Sequence, residues 1–433
     1  MWDFETDPAY QADLDWADAF VKEEIEGLRY IIPEGLDRND PVRNAIFKPL
    51  QEKVRARGLW ATHLGPELGG KGHGQLKLAL LNEILGRTPF APIVFGCNAP
   101  DTGNAEILAH YGTPEHKAKY LQPLLDGDIY SCFSMTEPQG GSDPLEFTCK
   151  ATLDGDEWVI EGEKWFSSNA RYSTFLIVMA LTDPDAEPYR RQTMLIVPSE
   201  TPGITIVRNV GIGGWGERID PHGDHAHIRY DKVRVPKANM LGPRGSAFAV
   251  AQTRLGGGRI HHAMRTVGQA KAALEMMKQR AVSRRTKGES LARKQMVQEM
   301  VADSWLELEQ FRLFLLHTAW KIDKIQDYKK VRADISAAKI GMTVTLKRIV
   351  DRALQVHGSF GLSDEAPFVH MLINAYHVGL ADGPTEVHKA TLARELLKDV
   401  KPAEGVFPSY TRSVREAAAK AKYADLLKQH GRA

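Results

Sequence analysis

The sequence has few cysteines, no long apolar run and no excess of charge of either sign. Its 433 residues include three cysteines, Cys97, Cys132 and Cys149, an odd number without CxxC spacing. That count argues against a disulfide scaffold or a structural zinc ribbon and favours a reducing compartment. No segment reaches about 18 uninterrupted apolar residues, so no membrane-spanning helix is expected. The 56 basic and 55 acidic side chains nearly cancel, so bulk charge indicates neither nucleic acid nor an anionic membrane as a partner.

The residues that are present indicate an ordinary globular protein. Hydrophobic residues make up 43% of the chain and charged residues 26%, enough to bury a large core. At roughly 100–200 residues per domain, the length predicts about three domains. The first twenty residues are acidic and carry no cationic or Arg-rich leader, so a cytoplasmic location is expected.

The hydrophobic pattern predicts a helical, then β-rich, then helical order, which is an α+β fold. Helical spacing marks the first part, whereas short alternating runs separated by Pro, Gly and Asp follow from about residue 128. These runs predict an antiparallel barrel or sandwich, with a hairpin turn at Asp154-Gly155. Long helical runs then predict a four-helix bundle. The predicted regions are an all-helical domain (1–128), a β domain (129–241), a bundle (242–400) and a tail (401–433).

The predicted elements have the following bounds. The helices are 13–29, 45–57, 75–86, 105–111, 115–125, 246–285, 291–324, 330–357 and 385–397. The strands are 147–153, 157–161, 174–181, 193–197, 203–207 and 225–233.

Two glycine-rich motifs match nucleotide-binding patterns without their structural context. Residues 211–216 satisfy GxGxxG, and Asp231 follows twenty residues after its first glycine. A dinucleotide fold needs a helix directly after the glycines, and Pro221 and Gly223 prevent one here. Residues 65–71 begin like a phosphate-binding loop but follow no predicted strand, so a plain turn is expected.

A histidine cluster provides a weak metal signal. His225 and His227 would share a face of one strand, with His222 and Asp224 close by. Because no third ligand stands at metal spacing, no metal site is predicted.

The segment 131–144, SCFSMTEPQGGSDP, lies at the boundary between the helical and β regions. It offers hydroxyls at Ser134, Thr136 and Ser142, and a glycine pair that lets backbone N–H groups approach a ligand closely. This combination suits a polarised heterocycle or phosphates, although a simple hairpin has the same composition.

This segment closely resembles the flavin-binding signature of the acyl-CoA dehydrogenase family, and the resemblance extends over about residues 10–400 in the same three-part order. It implies FAD as the cofactor and an electron-transfer flavoprotein as the acceptor. In the segment 162–169, it places Phe166 against the flavin ring and Ser168 on the ring's reactive nitrogen. The flavin contacts that it implies are Ser134, Met135, Thr136, Gly141, Ser142, Phe166, Ser167, Ser168, Arg284, Thr286, Gln295, Gln355, Val356, Gly358, Ser359, Pro384 and Glu386.

The resemblance also implies a homotetramer or a homodimer. Arg284 opens a segment, 284–288, that in similar enzymes reaches across a subunit interface to the neighbouring flavin's phosphates. Lys287 replaces the aromatic residue that is usual there, and Pro384 replaces a usual Thr beside the flavin.

The loop 380–388, LADGPTEVH, holds Asp382 where similar enzymes place a catalytic glutamate. The family's other base position is Gly258, which cannot serve. By resemblance, Arg259 opens the first bundle helix and helps to hold the carboxylate and the acyl-CoA. Burial is expected to raise the pKa of Asp382. An alternative is that Asp382 is only a turn or helix-cap residue.

The resemblance implies α,β-dehydrogenation of an acyl-CoA to a trans-2-enoyl-CoA, a step of fatty acid β-oxidation, with Asp382 as base and hydride transfer to FAD. The implied substrate contacts are Ser142, Arg259, His261, His262 and Gly383. The segments GGGRIHH and ADGPTEVH resemble the branch with fused kinase or hydrolase domains, some members of which convert 4-phospho-acyl-CoA or 4-hydroxy-acyl-CoA to enoyl-CoA. Two further hypotheses are a nitroalkane-oxidase-like flavoenzyme and a scaffold that acts only through partners.

Overall fold

The first helix was predicted over 13–29, but it begins earlier, at Pro8, and its α-helical part ends at Phe20. The computed structural model describes residues 4–32, 37, 39–212 and 225–432. The first helix starts with Pro8, and the Asp7 carboxylate accepts a hydrogen bond from the N–H of Tyr10 at 2.9 Å, a side-chain N-cap. The helices of this region are α1 (Pro8–Phe20), α2 (Pro41–Ala56), α3 (Gln75–Leu85), α4 (Ala91–Val94), α5 (Asp101–Tyr111), α6 (Pro114–His116) and α7 (Gln122–Leu125).

A mixed sheet follows the helices. Its strands are β1 (Ser131–Ser134), β2 (Lys150–Asp154), β3 (Glu157–Ser168), β4 (Phe175–Leu181), β5 (Gln192–Pro198), β6 (Ile204–Val210), β7 (His225–Pro236) and β8 (Met240–Leu241). The spatial order is β6-β7-β3-β1-β4-β5-β8, and β2 pairs with both β3 and β4. Most pairs are antiparallel, as predicted.

Two local expectations for this sheet are wrong. The pairs β1–β4 and β2–β4 are parallel, because the β2–β3 hairpin carries the chain across the sheet without a helix. Asp154 pairs with Glu157, so the two-residue turn is Gly155-Asp156 and not Asp154-Gly155. Gly155 has φ of 61°, the left-handed conformation that glycine adopts at the first position of such turns.

The last part of the chain is helical again. It contains α8 (Ala247–Ser283), a hairpin of β9 (Arg285–Thr286) and β10 (Glu289–Ser290), α9 (Gln295–Ile325), α10 (Arg332–His357), α11 (Ser359–Leu362), α12 (Phe368–Leu380), α13 (Thr385–Leu397), α14 (Arg412–Lys422) and α15 (Ala424–Gln429). Helices α8, α9, α10 and α12 pack around one apolar core. In the predicted tail, α14 and α15 are exposed.

Two features of this helical part differ from expectation. Helix α12 was not predicted, although its buried residues Phe368, Met371, Ala375 and Gly379 follow helical spacing. Arg259 does not open the first bundle helix, because α8 begins at Ala247 and continues through the glycines that precede Arg259. None of the described helices is long and apolar enough to cross a membrane.

Candidate active site

The connection between α12 and α13 has an unusual backbone. Asp382 has φ of 56° and Gly383 has φ of 95°, so two consecutive residues are left-handed. Glycine adopts this conformation freely, and aspartate tolerates it better than most residues. Pro384 then fixes the backbone before α13 begins at Thr385. The Asp-Gly-Pro sequence therefore explains the sharp turn between the two helices.

Side chains from α8 and α13 hold the main chain of Asp382. Arg259 donates from Nη2 to the carbonyl oxygen of Asp382 at 3.2 Å. Nε2 of His388 lies 3.3 Å from the same oxygen. Arg259 thus contacts the backbone of the loop, whereas the resemblance assigned it to the carboxylate.

Basic side chains surround the carboxylate of Asp382, which is 24% exposed. Arg254 Nη1 lies 3.7 Å from Oδ1, and His262 Nε2 lies 3.9 Å from Oδ2. The α13 helix is capped by Pro384 without a side-chain hydrogen bond, so the carboxylate of Asp382 does not cap it.

The expected direction of the Asp382 pKa is wrong for this structure. Burial does act to raise the pKa of Asp382, as the sequence predicts. The positive charges of His262 (when its ring is protonated in acid), Arg254, Arg259 and Lys339 oppose burial and lower the pKa of Asp382 below its usual value. The carboxylate is therefore ionised and only weakly basic.

Arg254 is a site residue that the sequence motifs did not reveal. It lies on α8, and its Nε donates to Oδ1 of Asn104 at 3.1 Å, while the guanidinium lies 4.1 Å from the ring centroid of Phe133. Asn104 in turn donates to the hydroxyl of Ser131 at 2.9 Å. The available signal was a second arginine on the same helix as Arg259.

His261 and His262 point to different surroundings, as their adjacent positions on a helix require. His262 faces Asp382, whereas the charge that acts most strongly on His261 is Arg265. Burial lowers the pKa of His261 to about 3 and that of His262 to about 4, so both rings are neutral at pH 7. Nε2 of His261 is buried and has no hydrogen-bond partner among the described residues.

The end of β3 presents an aromatic surface. Phe166 is 38% exposed, has φ of 53° and stacks on the ring of His225 with centroids 4.9 Å apart. The hydroxyl of Ser168 lies 2.8 Å from Nδ1 of the same histidine. A left-handed phenylalanine is a strained conformation, which is common at ligand sites.

Two of the predicted hydroxyl contacts are turned into the protein. The hydroxyls of Ser134 and Ser167 lie 2.9 Å apart, and Ser134 also bonds the hydroxyl of Tyr230 at 2.9 Å. Both serines are fully buried. Neither hydroxyl is therefore available to a ligand in this structure.

The remaining predicted flavin residues are mostly exposed or partly buried, and one of them is buried. Gly141 and Ser142 are exposed, and a side chain at Gly141 would lie 3.2 Å from the methyl group of Thr136. The exposed residues elsewhere are Arg284, Thr286, Gln295, Gln355, Gly358, Ser359 and Glu386. Met135, Thr136 and Pro384 are partly buried, and Val356 is buried. The exposed ring of Phe166 fits a flat heterocycle such as a flavin.

The other motifs of the sequence either make local contacts or lie outside the described residues. His227 Nε2 lies 2.9 Å from Oε2 of Glu163. His222, Asp224 and 213–216 of the GxGxxG motif lie outside the described residues. Within the segment 65–71, Pro66–Leu68 forms one short 3₁₀ turn.

Family comparisons agree with this arrangement. Three domain models match the chain in order: the acyl-CoA dehydrogenase N-terminal domain at residues 10–128, the middle domain at 132–222 and the C-terminal domain at 245–397.

Among curated proteins, the chain is 41% identical over 361 residues to acyl-CoA dehydrogenase family member 11 of Gallus gallus, covering 82% of this chain. That alignment spans only 46% of the chicken protein, so the chain corresponds to about half of its length. It is 42% identical over 360 residues to "Probable acyl-CoA dehydrogenase FadE2" of Mycobacterium tuberculosis, covering 82% of this chain and 86% of that protein.

Solved structures share the fold. Butyryl-CoA dehydrogenase of Megasphaera elsdenii is 25% identical with a TM-score of 0.77, and the match covers 92% of this chain and all of that one. The structure of PigA with FAD and proline is 22% identical with a TM-score of 0.79, covering 91% and 99% of the two chains, and it shows the fold alone. The predicted fold class, oxidoreductase class and FAD cofactor are thereby confirmed. The chain belongs to the acyl-CoA dehydrogenase family.

Proposed function

We propose that this protein is an FAD-dependent dehydrogenase that converts an acyl-CoA to a trans-2-enoyl-CoA, with Asp382 as the base that removes the α-proton. The observation that carries this proposal is the geometry of Asp382. Its main chain is fixed by Arg259 and His388, while its carboxylate is partly exposed and lies 3.7 Å from Nη1 of Arg254 and 3.9 Å from Nε2 of His262. The carboxylate is thus positioned firmly, yet is free to accept a proton.

The cofactor would lie against the exposed ring of Phe166, and Ser168, Gly141 and Ser142 are the further contacts that we propose. When bound, FAD supplies the acceptor for the hydride that leaves the β-carbon. The protein supplies position and electrostatics for the proton transfer. Because the pKa of Asp382 is low, the substrate must be made more acidic, and we assign this to the main-chain N–H of Asp382 acting on the thioester oxygen.

Replacement of the base tests the proposal. The Asp382→Asn protein should bind FAD and acyl-CoA yet reduce its flavin at least about 10²-fold more slowly, because general-base catalysis contributes about 10²–10⁴-fold. The measurement is anaerobic mixing with a panel of acyl-CoAs, followed by flavin absorbance at about 450 nm. Asp425→Asn, on the exposed helix α15, is the matched control. Normal flavin reduction by Asp382→Asn would overturn the assignment.

A second candidate is conversion of a 4-phospho-acyl-CoA or a 4-hydroxy-acyl-CoA to an enoyl-CoA. Two arginines, Arg254 and Arg259, and the ammonium of Lys339 act on the single carboxylate of Asp382. Glu106 does not offset them, because burial raises its pKa to about 8 and keeps it neutral at pH 7. An anionic substituent would balance this charge and would raise the pKa of Asp382 toward useful basicity, so the observation favours the phosphorylated substrate.

The same panel separates these reactions. It contains a plain acyl-CoA and its 4-phospho and 4-hydroxy derivatives. Faster bleaching by the 4-phospho derivative would support the second candidate, and equal rates would contradict it. Oxygen consumption with nitroalkanes, without bleaching by any thioester, would favour a nitroalkane-oxidase-like reaction instead.

We also propose a homotetramer or homodimer, an electron-transfer flavoprotein as acceptor and a cytoplasmic location. Arg284 and Thr286 support the oligomer, since they are exposed on the hairpin between α8 and α9, where a neighbouring subunit's flavin phosphates could be contacted.

A further inference from the structure

We propose that Lys339 is a positioning residue for Asp382, acting through the last turn of α12. This inference rests on the proposed role of Asp382 as the base. Lys339 projects from α10, is 0% exposed, and donates from Nζ to the carbonyl oxygen of Val378. Val378 stands four residues before Asp382, in the turn of α12 that leads directly into the base loop, which we define as residues 381–384.

Burial of a lysine in this position is costly unless the ammonium has a specific partner. Burial lowers the pKa of Lys339 to about 8, although the charge of Asp382 acts in the opposite direction. A methionine would fill a similar volume without this cost, so packing alone does not account for a lysine. The C-terminal carbonyls of a helix favour a cation, and Lys339 is bound to one of them.

The last turn of α12 is fixed at several points. The Thr385 hydroxyl donates to the carbonyl of Gly379 at 3.2 Å, and the N–H of Ala381 donates to the carbonyl of His377 at 2.9 Å. A side chain at Gly379 would lie 2.8 Å from Oγ1 of Thr343, so α12 is packed closely against α10. Lys339 therefore connects α10, through a hydrogen bond, to the residues just before the base loop.

Within the base loop, the carbonyl of Asp382 is held by Arg259 from α8 and by His388 from α13. The position of the base thus depends on contacts from three helices, α8, α13 and α10, and the contact from α10 is made by Lys339. Lys339 also acts on the carboxylate by charge. The charged and titratable groups that face Asp382 are Arg254, Arg259 and His262 on α8, Lys339 on α10 and His388 on α13.

Hydrogen–deuterium exchange of the FAD-loaded full chain tests the positioning directly. In Lys339→Met, exchange in the segment 378–385 should accelerate at least about tenfold, since one anchor of the turn is lost. The control is Lys347→Met, because Lys347 is exposed on the same helix and lies 4.5 Å from the ring of Tyr376 on α12. Equal exchange in both variants would overturn the proposal.

Flavin reduction supplies the second readout. Lys339→Met should reduce its flavin about 10–100-fold more slowly at saturating acyl-CoA, because a displacement of about 1 Å can cost about 10²-fold. Its pH profile should also move, with the acid limb at higher pH, because a cation that lowers the pKa of Asp382 is gone. Lys339→Arg should restore the acid limb toward its wild-type position. An unchanged limb in Lys339→Met would contradict the charge effect.

A milder variant tests the same turn in case the Lys339→Met protein does not fold. Thr385→Val removes only the hydroxyl that donates to Gly379, and it should accelerate exchange in 378–385 and slow flavin reduction, both in the same direction as Lys339→Met. No change in either readout would contradict an anchored turn. Asp382→Asn separates the two proposals: if it reduces flavin normally, the proposed base is wrong, whereas the exchange data still decide the role of Lys339.

Discussion

At the scale of single residues, Arg254 distinguishes the two candidate substrates. It is the side chain whose guanidinium comes within 3.7 Å of the Asp382 carboxylate while also bonding Asn104. A phosphoryl group near it would gain a charge-assisted hydrogen bond, worth about 1.5–3 kcal/mol. A plain acyl chain would gain nothing comparable.

We therefore expect Arg254→Met to raise the KM for 4-phospho-acyl-CoA about 10–100-fold, in line with that energy. The KM for the matching plain acyl-CoA should change much less. Steady-state kinetics with both thioesters measure this ratio, and Arg394→Met, at an exposed position on α13, is the control. An equal rise in both KM values would indicate a structural defect and would remove Arg254 from substrate recognition.

The residues of the site were predictable to different degrees. The resemblance of the loop 380–388 to the family singled out Asp382, whereas the local sequence Ala-Asp-Gly-Pro by itself predicted only a turn. The direction of its pKa was not predictable, because the opposing charges of Arg254 and Lys339 come from helices distant in the chain. The hydroxyls of Ser134 and Ser167 were expected at a ligand, but strand pairing turns them toward Tyr230 in the interior.

At the scale of elements, the crossing of α3 and α8 positions the site. Helix α8 carries Arg254 and Arg259, and it approaches α3 at two glycines. A side chain at Gly268 would lie 2.0 Å from the carbonyl oxygen of Glu83, and one at Gly86 would lie 2.2 Å from that of Arg265. The two backbones can be this close only because both positions lack Cβ.

Gly268→Ala should accordingly lower the free energy of unfolding by about 1–3 kcal/mol, the usual cost of overpacking. Urea unfolding followed by circular dichroism measures the loss. Gly258→Ala lies on the same helix, and a Cβ there would meet nothing within 4 Å, so this variant should be neutral or stabilising by up to about 1 kcal/mol. If both variants unfolded at the same urea concentration, the close crossing would not limit stability.

Elements with strong periodicity were predicted well, and the exceptions have physical causes. The first-region helices at 45–57 and 75–86 coincide closely with α2 and α3. Helix α12 is more apolar than the helices around it, yet its buried positions follow helical spacing, so the sequence contained a signal for this helix that the prediction missed. The parallel pairing of β1 with β4 joins strands separated by a hairpin, and no local pattern encodes that pairing.

At the scale of the whole molecule, the charges are distributed unevenly between surface and interior. The formal net charge of +1 conceals a cluster of buried basic groups around Asp382. Four histidines near α8 and α13 are kept neutral, chiefly by burial, with the pKa of His63, His262 and His388 lowered to about 4 and that of His261 to about 3. Protonation of any of them would add a further buried positive charge.

This arrangement predicts a loss of stability in acid. A histidine whose folded-state pKa is lowered contributes its full stability above the unfolded pKa of 6.5 and loses it as the pH falls toward the folded value of about 4. Each histidine therefore costs about 2 kcal/mol between pH 6.5 and pH 5. Several such losses together would remove a large part of the stability of a typical domain, which is about 5–15 kcal/mol.

His63→Phe tests the argument, because both ring nitrogens of His63 are buried and have no hydrogen-bond partner among the described residues. The variant should lose about 2 kcal/mol less stability than the wild type between pH 7.5 and pH 5.0, since one titrating group is gone. Urea midpoints at the two pH values give the difference, and His430→Gln, at an exposed position near the chain end, should behave as the wild type does. If His63→Phe and the wild type lost equal stability, the buried ring of His63 would not contribute to the acid sensitivity.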